Sequence, residues 1–157
     1  MSPALHAAPD DAAIAARPQG CTNLKLRQLM RRVSQRYDAE VGLAGLKGTQ
    51  YSLLSHVVKL GPIRPVDLAA RMNVDASTLS RNLRPLVSAG WVTLEAGADA
   101  RSRLVQATDA GHEKRAQAQR RWRIAQERLN ATLGAQRVVA LHALIDEAMQ
   151  ALDADGA

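Results

Sequence analysis

Between Val74 and Val92 the chain reads VDASTLSRNLRPLVSAGWV, which sets Ser77, Thr78, Ser80, Arg81 and Arg84 among regularly spaced leucines. Hydroxyl and guanidinium groups gathered on one helix face are suited to hydrogen bonding with phosphate oxygens and with the edges of bases. The planar fork of Arg81 matches guanine O6 and N7, a pairing worth about 1–3 kcal/mol of base discrimination, and Ser77 and Thr78 near the helix start can donate to phosphates. Leu79, Leu83, Leu86 and Val87 fall on the opposite face and should clamp the helix onto a core. Pro85 interrupts the pattern at a cost of about 3 kcal/mol in an isolated helix, so a kink is expected after two turns, with the Ser/Thr/Arg portion left straight. Taken alone, the stretch equally suits a capped surface helix with ordinary polar exposure.

A second basic cluster follows closely. GADARSR puts Asp99, Arg101 and Arg103 on a loop of small residues between two β-rich segments, WVTLEAG and RSRLVQAT, which read as a hairpin. Guanidinium groups at such a tip could reach a minor groove or phosphates, with Asp99 orienting Arg101. A plain surface ion pair, worth about 0–1 kcal/mol, would explain neither the place of this loop nor the helix before it.

Other elements must position these groups. Residues 1–20 mix Ala, Pro, Asp and Gly without periodicity and read as a flexible tail, ending in a short helix around residues 11–17. Leu26, Leu29, Met30, Val33, Tyr37 and Val41 then form the apolar stripe of a long helix, with Lys25, Arg27, Arg31, Arg32 and Arg36 opposite. GLAGLKG is a connection, and Thr49 is expected to cap a second helix that runs to about Leu60. Pro65 suits the first turn of a short third helix over residues 65–72, and Asp75 can cap the fourth. After the hairpin, residues 109–131 carry Ala118, Trp122, Ala125 and Leu129 at helical spacing. A last helix from Ala135 places Val138, Leu141, Ile145, Ala148 and Leu152 at alternating steps of three and four, the pattern of a helix-pairing seam. The expected fold is mainly α with a small β-hairpin wing (α+β), a winged helix-turn-helix whose N- and C-terminal helices pair between copies.

Composition agrees with this order. The formal net charge is +6, and 17 of the 21 basic residues are Arg, which favours a phosphate-bearing partner. The single cysteine, Cys21, leaves no intramolecular disulfide framework and no cysteine-based zinc cluster. The first 20 residues lack a basic, apolar secretory pattern, and no segment approaches the roughly 18 unbroken apolar residues of a membrane span, so a cytoplasmic protein is expected. His6, His56, His112 and His142 are scattered without metal-ligand spacing, and there is neither a Gly-rich phosphate loop nor a Ser/His/Asp set, so neither an enzyme nor a bound cofactor is expected. A rival reading is a nonspecific architectural nucleic-acid binder using KRAQAQRRWR on the fifth helix.

Over residues 21–152 the sequence resembles the MarR family of winged helix-turn-helix transcription regulators, most specifically in LAARMNVDASTLSRNLRPLVSAGWV and DARSRLVQATDAG. The resemblance implies a homodimer that inserts paired recognition helices into successive major grooves of double-stranded DNA, with wing arginines in the flanking minor grooves. It carries over to Ser77, Thr78, Ser80, Arg81 and Arg84 on the helix and to Asp99, Arg101 and Arg103 on the wing. Arg64 stands where relatives often have a Ser or Thr cap, and could add a phosphate contact. The implied organisation is a tail over residues 1–20, a helical dimerisation region over residues 21–48 and 109–157, and a DNA-binding domain over residues 49–108.

The resemblance also implies a small-molecule effector, often aromatic or phenolic, that binds between the dimer helices and the winged domain; Tyr37, Tyr51 and His56 lie on helices bordering such a space. One branch of the family senses peroxides through a cysteine near the start of the first helix, which would make Cys21 a redox site. That branch pairs its thiol with tyrosine hydroxyls where this sequence has Arg27 and Gly48, so a passive, buried Cys21 is expected instead.

Overall fold

The computed structural model describes residues 19–96 and 103–155, and the chain divides into two compact units, residues 1–32 and 33–157. The expected tail and its short helix lie, up to residue 18, outside the described residues, as do Asp99 and Arg101 of the hairpin tip.

In the first unit the described residues are the opening of α1 (Thr22–Val41), and from residue 19 to 32 every side chain is exposed. Cys21, immediately before the helix, is exposed too, which corrects the expectation of a buried thiol: among the described residues of this unit none covers it.

In the second unit α1 ends in a 3-10 turn, Gly42–Ala44, followed by α2 (Gly48–Leu60), α3 (Pro65–Arg71) and α4 (Ala76–Ser88). Then come β1 (Val92–Ala96) and β2 (Arg103–Ala107), an antiparallel pair in which Leu94 faces Val105, and α5 (Asp109–Leu133) and α6 (Ala135–Asp155). The element order is the one the periodicity predicts. An extra bridge, Ile63 to Val105, ties the segment before α3 to the hairpin.

The core sits where α2, α3 and α4 meet the hairpin and α5. Leu53, Leu54, Leu68, Leu86, Val92 and Val105 are among its fully buried members, an all-aliphatic filling that follows from the absence of Phe.

Two local devices set the helix starts. α2 begins at Gly48 and not after a Thr49 cap: Asp38 on α1 accepts from the Gly48 N–H at 2.7 Å, and Gln50 Oε1 accepts from the Lys47 N–H at 2.8 Å. A residue ten positions away thus supplies the cap. At α5, Thr108 Oγ1 accepts from the Gly111 N–H at 3.0 Å and donates to the Gly90 carbonyl at 2.7 Å, fastening the hairpin base to the helix. Gly111 is required there, because a Cβ would stand 2.0 Å from the Trp91 carbonyl oxygen.

Candidate nucleic-acid interface

α3 and α4 are joined by a turn that places Asn73 at φ 52°, a left-handed conformation that asparagine tolerates better than most residues. Asp75 then caps α4 as expected, its Oδ1 accepting from the Thr78 N–H at 2.7 Å. α4 runs unbroken through Pro85 to Ser88 and closes with Gly90 at φ 73° and a Trp91 N–H bond to the Leu86 carbonyl. Leu79, Leu83 and Leu86 are 2%, 4% and 0% exposed, so α4 is clamped by the face its sequence assigns to the core. Ser77, Ser80, Arg81 and Arg84 are exposed and Thr78 is half-buried, which leaves the polar face open along the helix.

The hydroxyls at the head of α4 are already engaged. Ser77 Oγ donates to Asp75 Oδ1 at 2.5 Å and Thr78 Oγ1 donates to Asp75 Oδ2 at 2.7 Å. These bonds, with the Thr78 N–H, hold the Asp75 carboxyl well below the usual carboxylate range. Donation from Ser77 and Thr78 to a phosphate therefore requires that these bonds be exchanged. The outward-facing resource of Thr78 in the free chain is its oxygen lone pairs, and Arg81 Nη2 donates to them at 3.3 Å. Asp75, Thr78 and Arg81 form a chain that holds the guanidinium; sequence reasoning saw Asp75 only as a cap.

The wing comes against the same helix. Ser80 and Arg84 of α4 and Arg103 of β2 line one groove of about 650 Å³, floored by Leu83, Val87 and Leu94. This brings three sequence-predicted residues together. The apolar floor was missed, since it joins Leu83 and Val87 of α4 to Leu94 of β1 through packing and not through spacing along one segment. Arg64 occupies the residue before α3 without capping it; its guanidinium instead binds Asp67 through Nε and Nη2 at 2.7 and 3.1 Å, and it stays largely exposed.

Tyr37, Tyr51 and His56 meet at a second cavity, of about 430 Å³, also lined by Trp122 and Ser55. The Tyr37 ring lies 5.9 Å from Trp122 and the Tyr51 ring 6.4 Å. Tyr37 donates to Gln126 Oε1, and burial pushes its phenol up from the ordinary value. His56 Nδ1 is 2.8 Å from the Ser52 carbonyl. Beyond this cavity, the buried Glu40 carboxylate is held by Arg128, with Arg121 at 4.0 Å, a pairing of the α1 end with α5 that periodicity did not reveal.

Among the described residues no helix is long and apolar enough to cross a membrane. α6 buries none of its residues, and Val139, Leu144, Met149 and Leu152 on it are 52–73% exposed.

A family model described as MarR family matches residues 44–102. The chain is 28% identical over 90 residues to the uncharacterized HTH-type transcriptional regulator YwoH of Bacillus subtilis, a match over 57% of this chain and 66% of that protein. Among solved structures, the M. tuberculosis transcriptional regulator MosR, crystallised with DNA, is 31% identical, with a TM-score of 0.65 over 83% of this chain and 98% of that one. Wild-type MarR from E. coli shares the fold at 22% identity, with a TM-score of 0.69 over 83% of this chain and 98% of that one. The helix-turn-helix with its hairpin wing, the matching family model and the similarity to MosR together make this chain a member of the MarR family of transcriptional regulators.

Proposed function

We propose that the chain acts as a dimeric, sequence-specific DNA-binding regulator in the cytoplasm, a repressor that leaves a near-palindromic operator when a small effector binds, with no catalytic step of its own. The observation that carries the reading is the division of α4 into a buried leucine face and an open face bearing Ser77, Ser80, Arg81 and Arg84. Arg81 reads a base edge in the major groove, while Ser77, Thr78, Arg84 and Arg64 contact the backbone around it. On the wing, Asp99 orients Arg101, and Arg101 and Arg103 reach the adjacent minor groove. MosR, crystallised with DNA, supports the partner class.

The exposed aliphatic faces support the dimer. Leu26 and Met30 on α1, and Leu144, Ile145 and Leu152 on α6, are apolar surface that water disfavours and that a second copy would cover. Two copies related by a twofold axis would hold their reading heads about 34 Å apart, one helical turn of DNA. The effector acts at the cavity of Tyr37, Tyr51 and His56 by binding one spacing of the heads better than the other.

Selection of bound duplex from a random pool tests the reading. The expected result is a near-palindrome with half-sites one turn apart, preferred over bulk genomic fragments by roughly a thousandfold or more. Binding with only steep salt dependence and no enriched sequence would instead favour the nonspecific architectural role of the basic fifth helix.

A further inference from the structure

Three of the four aromatic residues of this chain, Tyr37, Tyr51 and Trp122, stand at the 430 Å³ cavity, which is large enough for a bicyclic aromatic molecule. The remainder of its lining is unusual in a protein of net charge +6. Among the described residues no Lys or Arg lines it, and the one formal charge there is the carboxylate of Asp38, an exposed residue. Among the described residues only Oδ1 of that carboxylate is engaged, by the Gly48 N–H.

The polar atoms around the cavity include the hydroxyls of Ser34, Thr49 and Ser52, which donate or accept, beside the Asp38 carboxylate, which only accepts. Ser55 Oγ is buried, with no hydrogen-bond partner among the described residues. His56 Nδ1 lies 2.8 Å from the Ser52 carbonyl, which engages that nitrogen. Tyr37 spends its hydroxyl hydrogen on Gln126 and keeps its oxygen lone pairs. An anionic ligand would meet the Asp38 carboxylate with no Lys or Arg of the described lining to offset it, whereas a cation would meet that carboxylate and the negative faces of aromatic rings.

We propose that this cavity selects an organic cation with an aromatic body, of the arylalkylammonium class, over carboxylates of the same shape. The proposal rests on the reading of the cavity as the effector site and names the chemistry of its ligand. The ammonium N–H groups are taken up by Asp38, and the ring stacks against Tyr51 and Trp122.

The test is calorimetric titration of the full chain at neutral pH with naphthylmethylammonium, naphthylmethanol and naphthoate, which share a ring system and differ in charge. The ammonium should bind at least about fivefold more tightly than the alcohol, and naphthoate most weakly. Asp38→Asn, whose amide oxygen can keep the cap on Gly48, should erase the ammonium preference and leave the alcohol unchanged. Tyr51→Leu, with Ser55→Val as a second marker should the first fail to fold, should weaken the ammonium and so locate binding in this cavity.

Tightest binding by naphthoate, lost in the marker variants, would overturn the ligand class while leaving the effector site standing. Binding of none of the three in a marker-dependent way would overturn the effector-site reading and this proposal with it.

Discussion

α4 and α6 are both amphipathic helices rich in aliphatic residues, yet they end up in opposite circumstances. α4 sinks Leu79, Leu83 and Leu86 into the core, while α6, eight residues longer, buries none of its residues. α4 has neighbours before and after it, α3 and the hairpin, that close over its apolar face and leave the polar face outward. α6 follows a single glycine-marked break after α5, and no described element closes over its apolar face. The lesson is that spaced aliphatics build a core where neighbouring elements cover them and stay exposed where none of the described elements does.

The sharpest way to break the comparison is to damage each helix where it is supposed to matter. Leu83→Ala should cost about 2–5 kcal/mol in denaturant unfolding, because it hollows a closed core, and should leave the oligomeric state alone. Ile145→Arg on α6 should do the reverse. Its unfolding midpoint extrapolated to low protein concentration should barely move, while light scattering reports monomer and operator affinity falls roughly a hundredfold as the two half-sites are uncoupled. A stability loss in both variants, or a dimer that survives the arginine, would remove the distinction drawn between the helices.

Within α4, Arg81→Ala should lose about 1–3 kcal/mol of discrimination at one base position of the selected site, measured by competition among single-base operator variants. Thr78→Val, which keeps the shape but removes the oxygen that Arg81 binds, should relax the same position to a smaller degree. An undiminished preference at that position in both would refute the Asp75–Thr78–Arg81 chain as a positioning device.

The smallest expected effect is on pH dependence. The Asp75 carboxyl is held below its ordinary value in the folded chain, so its contribution to stability is fully present above the unfolded-state value near 4 and fades as pH falls through the lowered folded value. Asp75→Asn should flatten that acid limb of a stability-versus-pH curve by lowering the neutral plateau toward the acid value of the parent chain, since the contribution it removes is the one present above pH about 4. An acid limb identical to that of the parent chain would show that the Ser77 and Thr78 hydrogen bonds do not persist in solution.

Most of the architecture could be read from the residues themselves. Helical periodicity located α1, α4, α5 and α6, punctuation by Gly and Pro located the breaks, and the leucine spacing in α4 decided which face would be polar. Those signals are local, carried by neighbours within a few positions. The expected cap at Thr49 failed because the true acceptor, Asp38, comes from another helix. The convergence of Arg103 with Arg84 and Ser80, and of Tyr37 and Tyr51 with Trp122, likewise depends on pairings distant in sequence.

What the sequence determined alone was therefore the order of elements, the face α4 would bury and the presence of hydroxyl and guanidinium groups on its other face, since each follows from spacing along one segment. Only the tertiary structure decided that the Ser77 and Thr78 hydrogens turn inward to Asp75, that Gly111 must admit the Trp91 carbonyl, and that a cavity in so basic a protein is lined, among the described residues, without Lys or Arg. Periodicity along a helix says which way a side chain faces, but not what stands opposite it; the charge of a cavity and the partner of a hydroxyl belong to the packing of distant segments.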